Sequence, residues 1–155
     1  MSDLFNEDFL EFLQALNKRD VEYMLVGGYA VILHGYSRTT GDMDVWVNRT
    51  KDNYNRLMMA FKDFGLPAFE LTEEKFMDAE KNDVFTFGRP PTCIEILTNL
   101  KGVSFVEAHK LVQTFQEDDV LIRFIHFNSL IASKKAAGRY RDLDDIEKLT
   151  NGNSK

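Results

Sequence analysis

The sequence predicts an α/β fold in which helices pack against a short mixed sheet. Amphipathic helical periods alternate along the chain with short buried runs, as they do when strands and helices pack in layers. Strand-like runs occupy five short stretches: 22–26, 42–47, 84–87, 93–97 and 120–125. Of the 155 residues, 44% are hydrophobic, which is enough for one core. We therefore expect a single domain over residues 1–150 and a disordered polar tail over residues 151–155.

A helix, a strand and a second helix open the chain. Apolar residues at helical spacing predict an amphipathic helix over residues 6–17, with Asn6 as its cap. The buried run at 22–26 predicts a strand that stops at Gly27-Gly28. Residues 29–34 then predict a short helix that ends before a glycine. The double glycine therefore stands between a strand and a helix.

The next two elements are a strand and a long helix. Alternation in the second strand-like run sends Asp42, Asp44 and Trp46 to one face and three apolar residues to the other. Apolar residues at core spacing over residues 51–64 predict the helix, and Gly65 ends it.

The second half of the chain predicts shorter elements. A brief helix is expected around residues 73–78, and Gly88–Pro91 is expected to be a turn between two strands. Ser104 and Glu107 have the spacing of a capping box for another helix. Asn128 is expected to open the last helical region.

Composition excludes several classes of protein. The formal net charge of −6 argues against a protein that coats nucleic acid, because that requires a broad basic surface. The single cysteine, Cys93, excludes an intramolecular disulfide and a thiolate cluster, and we expect it in the core. No apolar run has the length of a membrane span, and the acidic N-terminus differs from a signal peptide. We expect a cytoplasmic protein without membrane contact.

The glycine pair and the two aspartates indicate a phosphate site and a cation site. Gly27 and Gly28 allow backbone N–H groups to approach a phosphate at the start of a helix, although the pair also suits a tight turn without a ligand. Asp42 and Asp44 point the same way from one strand, so both can bind the same hard cation. Exposed acids on an edge strand are the alternative interpretation of that pair.

Glu95 adds a third carboxylate, because it lies between apolar residues of a strand that otherwise looks buried. The alternative is a glutamate that faces water at the edge of the sheet. Together with Asp42 and Asp44, it completes the ligand set for Mg²⁺ or Mn²⁺ in phosphoryl or nucleotidyl transfer. Four basic residues are available to offset phosphate charge: Arg38, Lys134, Arg139 and Arg141.

Two blocks carry a family resemblance. Val26-Gly27-Gly28-Tyr29-Ala30, followed after a spacer by Asp42-Met43-Asp44, resembles the signature of minimal nucleotidyltransferases, in the branch related to AbiEii-type toxins. The segment 130–149 resembles a second family block, in which a Lys and an Arg precede Asp-x-x-Asp. The matching positions are Lys134, Arg139, Asp142 and Asp145.

The resemblance implies the nucleotidyltransferase fold and roles for individual residues. It implies phosphate contact by Lys134, and support of that lysine or of the acceptor by Asp142. A salt bridge between helices is the alternative for that pair. Catalytic roles for Asp42, Asp44 and Glu95 follow from the carboxylate set, and the family signature includes Asp42 and Asp44. Nucleotide binding is assigned to four residues: Gly27, Gly28, Arg38 and Arg139.

The implied activity is metal-dependent transfer of a nucleoside monophosphate from an NTP to a hydroxyl group on RNA, protein or a small molecule. A toxin-antitoxin component with a cognate antitoxin is one setting for it. A non-catalytic binding partner or antitoxin with the same fold is the alternative. An antibiotic nucleotidyltransferase, which differs in its acceptor pocket, is a third interpretation.

Overall fold

A computed structural model describes residues 4–36, 40–81 and 84–153. The helices in this part of the chain are α1 (Glu7–Lys18), α2 (Gly27–Leu33), α3 (Lys51–Phe64), α4 (Glu73–Met77), α5 (Phe105–Lys110), α6 (Phe127–Ala137) and α7 (Tyr140–Asn153). The strands are β1 (Tyr23–Val26), β2 (Asp42–Val47), β3 (Val84–Arg89), β4 (Thr92–Leu97), β5 (Gln113–Glu117) and β6 (Val120–Phe124).

The six strands form one mixed sheet in the order β3-β4-β2-β1-β6-β5. The pairs β2–β4 and β1–β6 are parallel, and the other three pairs are antiparallel. The predicted α/β fold with a mixed sheet is confirmed. Strands β2 and β4 lie inside the sheet, each with a neighbour on both sides.

Apolar layers cover both faces of the sheet. Met43 and Val45 of β2 are fully buried in the larger layer, together with apolar residues of α1 and α3. Trp46 points to the opposite face and is buried with Leu130 of α6 and Leu149 of α7. Because side chains alternate along a strand, Asp42 and Asp44 project to the same face as Trp46. The two carboxylates therefore lie at the end of the sheet, on the side that α6 and α7 cover.

The helix caps agree with the sequence in one case and differ in two. The side chain of Asn6 accepts a hydrogen bond from the backbone N–H of Phe9 at 2.8 Å, as expected. Ser104 precedes α5 but makes no capping bond through its side chain. Asn128 is not the first residue of the last region: His126 caps α6, and its Nδ1 accepts from the backbone N–H of Asn128 at 3.1 Å. The imidazole of His126 thus takes the N-cap role that a hydroxyl or carboxylate side chain usually has.

Three further expectations need correction. Strand β5 has a mostly polar sequence at an edge of the sheet, so hydrophobic pattern did not reveal it. Gly88 and Arg89 belong to β3, which leaves only residues 90–91 as the turn. Helix α7 continues to Asn153, three residues into the predicted disordered tail, and residues 154–155 lie outside the described chain.

Candidate active site

A cavity of about 590 Å³ opens at the end of the sheet where β1 meets α2. The residues that line it come from both ends of the chain: Gly27, Gly28, Thr40, Gly41, Asp42, Asp44, Glu95, Lys134, Arg139, Arg141, Asp142 and Asp145. All of the predicted site residues are among them except Arg38, which lies outside the described residues. The two sequence blocks, far apart in the chain, therefore meet at one cavity.

Strand register brings the three predicted carboxylates together. In the parallel pair β2–β4, Asp44 lies opposite Glu95 and Asp42 lies opposite Cys93. Since both strands are internal, the edge-strand explanation for these acids does not apply. The carboxylates share one face at one end of the sheet because side chains two residues apart on a strand point the same way.

Gly27 is the residue that allows the strand end to approach Asp44. Its φ angle is +65°, and a Cβ at this position would overlap Oδ2 of Asp44. A positive φ is readily adopted by glycine and costly for other residues. The glycine thus serves both the tight turn into α2 and the close approach of the Asp44 carboxylate.

Replacement of Gly27 by alanine is expected to lower the free energy of unfolding by about 1–3 kcal/mol and to displace the Asp44 carboxylate. Urea denaturation measures the loss of stability. The matched control is Gly35→Ala: its φ is +99°, but a Cβ there meets nothing within 4 Å. Both variants carry the backbone strain, so Gly27→Ala should lose more stability than Gly35→Ala, because only its Cβ overlaps a side chain. Equal loss in both would contradict the proposed contact with Asp44.

Glu95 has a perturbed ionisation. Its pKa lies above the ordinary value, first because burial disfavours the charged form and then because Asp42 is close by, while a hydrogen bond with Asp44 acts in the opposite direction. Cys93 is half-buried rather than in the core, as its position beside Asp42 at the end of the sheet explains. Burial and the neighbouring Asp42 raise the pKa of its thiol.

Helices α6 and α7 supply the other wall, and a buried ion cluster joins them. Lys134 Nζ lies 2.8 Å from Oδ2 of Asp145 and 3.5 Å from Oδ1 of Asp142. Each of these three residues is more than nine-tenths buried. Asp142 also accepts from the guanidinium of Arg139, Nε to Oδ2 being 2.6 Å. Burial alone would raise the pKa of Asp142, but Arg139 and Lys134 together hold it below the ordinary value.

Sequence reasoning did not place Asp145 among the site residues, although it matched the second family block. The available signal was the spacing of Asp142 and Asp145, because residues three apart on a helix share a face. Arg141 was recognised only as an available cation, and it lines the cavity.

The charges of the cavity lining do not balance. Five carboxylates line the cavity against three basic side chains, Lys134, Arg139 and Arg141. Like charges repel each other where Asp42, Asp44 and Glu95 lie together. The pKa of Arg139 is raised, chiefly by its hydrogen bond to Asp142 and to a lesser degree by the charge of Asp44. A polyphosphate would meet a net negative lining unless a cation entered with it.

Asp42, Asp44 and Glu95 supply the carboxylate oxygens that a hard divalent cation prefers, and strand pairing places these residues side by side. Within residues 4–36, 40–81 and 84–153, however, no three His, Cys, Asp or Glu side chains are arranged as a ready metal site. The carboxylates would therefore have to turn toward a common point to hold the ion. Replacing mutual repulsion with attraction to a divalent charge favours that movement.

Comparison with known proteins finds similarity in three-dimensional structure but not in sequence. Neither the protein-family models nor the curated proteins include a match to the sequence. A crystal structure of a candidate nucleotidyltransferase from Thermotoga maritima is similar over 92% of this chain and 89% of that chain, with a TM-score of 0.59 and 12% sequence identity. The described helices include none with the length and apolar character of a membrane span. The chain therefore has the fold of a nucleotidyltransferase.

Proposed function

We propose that the protein transfers a nucleoside monophosphate from an NTP to a hydroxyl group of an acceptor. The observation that carries this proposal is the meeting of Asp42, Asp44 and Glu95 beside Gly27 in one cavity of a nucleotidyltransferase fold. A fold alone does not fix an activity. The site adds the residue types that a metal-assisted transfer to phosphorus requires.

The triphosphate is assigned to the part of the cavity between α2 and the start of α7. Arg139 is the basic residue best placed for it, because its side chain is 78% exposed while Asp142 orients the guanidinium. Lys134 is 7% exposed and already engaged by two carboxylates. We therefore assign phosphate contact to Arg139, with Arg141 beside it, and a positioning role to Lys134. Gly27 and Gly28 keep side chains out of the space that the phosphates need.

Asp42, Asp44 and Glu95 would hold the divalent ion, Mg²⁺ or Mn²⁺. When bound, such an ion neutralises charge on the phosphates and lowers the pKa of a bound hydroxyl. In the reaction, the acceptor oxygen forms a bond to the α-phosphorus while the bond from that phosphorus to the β-phosphate oxygen breaks. Pyrophosphate leaves, and the acceptor proton passes to solvent.

Nucleotide binding tests the assignment of the phosphate site. Arg139→Gln removes the exposed cation and is expected to weaken magnesium-dependent NTP binding about tenfold, which corresponds to about 1.4 kcal/mol. Isothermal titration calorimetry with each NTP gives the dissociation constants. The matched control is Lys135→Gln, an exposed cation of α6 that does not line the cavity.

If the wild-type protein bound neither NTP nor Mg²⁺, the proposal would be contradicted. That result would favour the alternative function, a non-catalytic binding partner with the same fold. Equal weakening by the two variants would contradict the assignment of Arg139. The toxin-antitoxin setting and the relation to AbiEii-type toxins rest on the motif resemblance alone and stay predictions.

A further inference from the structure

One of the helix caps in this fold is a titratable side chain. Helices α1, α3 and α4 are capped by Asn6, Thr50 and Thr72, whose side chains each accept a hydrogen bond from a backbone N–H. Amide and hydroxyl groups do not change charge near neutral pH. Helix α6 is capped instead by His126, and histidine ordinarily gains its proton between about pH 8 and pH 5. Of these four caps, the cap of α6 is therefore the one that can respond to acidification.

The capping bond of α6 requires an unprotonated ring nitrogen. Nδ1 of His126 accepts from the backbone N–H of Asn128 at 3.1 Å, and a ring nitrogen that accepts such a bond carries no hydrogen. A proton on Nδ1 would place two donors face to face. It would also add a positive charge at the end of α6 where the helix dipole is already positive. The ring must therefore release the cap when it is protonated.

A second histidine faces His126 from the neighbouring helix. His34 directly follows α2, and its Nε2 lies 2.8 Å from the carbonyl oxygen of Ile125. Because a carbonyl only accepts, this nitrogen donates in either charge state of the ring. Burial lowers the pKa of His34, the bond to Ile125 acts in the opposite direction, and the charge of His126 lowers it slightly further. Acidification therefore also weakens the folded state through His34, whose neutral form the fold favours.

The charged residues of the other elements beside α6 are engaged with partners of their own. On β6, the Arg123 guanidinium donates to Asn17 at 2.9 Å. On α7, Lys148 lies 2.9 Å from Asp144. In the described part of the chain, the charge that is seen to act together with that of His126 is that of His34.

We propose that His126 is a pH-sensitive cap, which holds the first turn of α6 at neutral pH and releases it when the ring is protonated. Helix α6 forms a wall of the candidate active site, and its Lys134 joins it to Asp142 and Asp145 of α7. Release of the first turn would loosen the helix that carries this ion cluster. The inference concerns the fold and is independent of the proposed activity.

Thermal unfolding at about pH 7.5 and about pH 5.5, on either side of the ordinary midpoint of histidine, tests the proposal. His126→Asn supplies a cap that does not titrate, and His126→Ala supplies none. The melting temperature of wild type should fall by about 2–4 °C more on acidification than that of either variant. The contribution of His34 is common to all three proteins. Equal pH dependence in wild type and His126→Asn would overturn the proposal.

A His34→Gln background separates loss of the cap from repulsion between the two rings. Glutamine can still donate to the carbonyl of Ile125, and circular dichroism checks that each variant folds. The additional fall in melting temperature caused by His126 should persist in this background. Its disappearance would assign the pH dependence to repulsion between the rings, and the cap would then not be the switch.

Hydrogen exchange of the wild-type chain locates the effect without any variant. Exchange in the first turn of α6, corrected for the intrinsic pH dependence of amide exchange, should become about fivefold faster relative to that of α3 on acidification. Helix α3 is the internal reference because the hydroxyl group of Thr50 caps it. An unchanged ratio between the two helices would contradict release of the cap.

Discussion

Replacement of Asp44 by asparagine is expected to abolish nucleotide transfer while leaving the protein folded. The change removes one of three charges that would hold the divalent ion and keeps the shape of the side chain. Loss of a group that stabilises charge in a transition state reduces turnover on the order of 10²- to 10³-fold. Transfer activity of Asp44→Asn should therefore fall by at least that factor.

Thermal unfolding separates this effect from damage to the fold. Without metal, Asp44→Asn should melt no lower than wild type, because the neutral amide reduces repulsion among the carboxylates at the end of β2 and β4. Added Mg²⁺ and NTP should raise the melting temperature of wild type and leave that of the variant unchanged, since a ligand stabilises only the state that binds it.

Asp52→Asn is the matched control: Asp52 is an exposed carboxylate of α3, paired with Arg56 and outside the cavity. This control should respond to the ligands as wild type does. An Asp44→Asn protein that keeps both transfer and ligand-induced stabilisation would contradict the assigned role of the carboxylate.

Replacement of Lys134 by methionine is expected to produce a large loss of stability. The change leaves Asp142 and Asp145 buried on α7 without the ammonium that lies between them. Removing one partner of a buried ion cluster costs about 3–5 kcal/mol, because the buried carboxylates lose the ammonium that offset their charge. Asp142 keeps its ion pair with Arg139. Urea denaturation at neutral pH should show this loss.

A surface pair on the same helix provides the control. Lys148 lies 2.9 Å from Asp144, with both side chains about half exposed, so Lys148→Met should cost far less stability than Lys134→Met. Rescue distinguishes charge from packing: Lys134→Met combined with Asp142→Asn and Asp145→Asn should recover most of the lost stability. If the Lys134 and Lys148 variants cost the same, the buried cluster does not hold α6 to α7.

Much of the fold could be predicted because apolar residues recur in most helices and strands at the spacing that places them on one buried face. The amphipathic period of α1 and α3, and the alternation of β2, determine which faces enter the core. Strand β5 escaped prediction because its side chains are mostly polar, and only its pairing register with β6 reveals it as a strand. The first residue of α6 was misplaced because a histidine caps it.

The sequence indicated which residues could form the candidate site, but it indicated less about how they are arranged in space. Asp42 and Asp44 lie two apart on one strand, so their common direction follows from strand geometry. The position of Glu95 opposite Asp44 depends on a parallel pairing between distant segments, which local pattern does not contain. Likewise, the sequence offered both phosphate contact and a helix-helix salt bridge for Lys134. Burial between two carboxylates favours the second.

The most direct test of the account follows both ends of the nucleotide. The protein is incubated with Mg²⁺, total cellular RNA or protein, and each NTP labelled in turn at the α- or the γ-phosphate. The account predicts that α-label enters an acceptor fraction, γ-label appears only in pyrophosphate, and both signals vanish in Asp44→Asn. Entry of γ-label into the acceptor, or no entry of label from folded protein, would contradict nucleotidyl transfer.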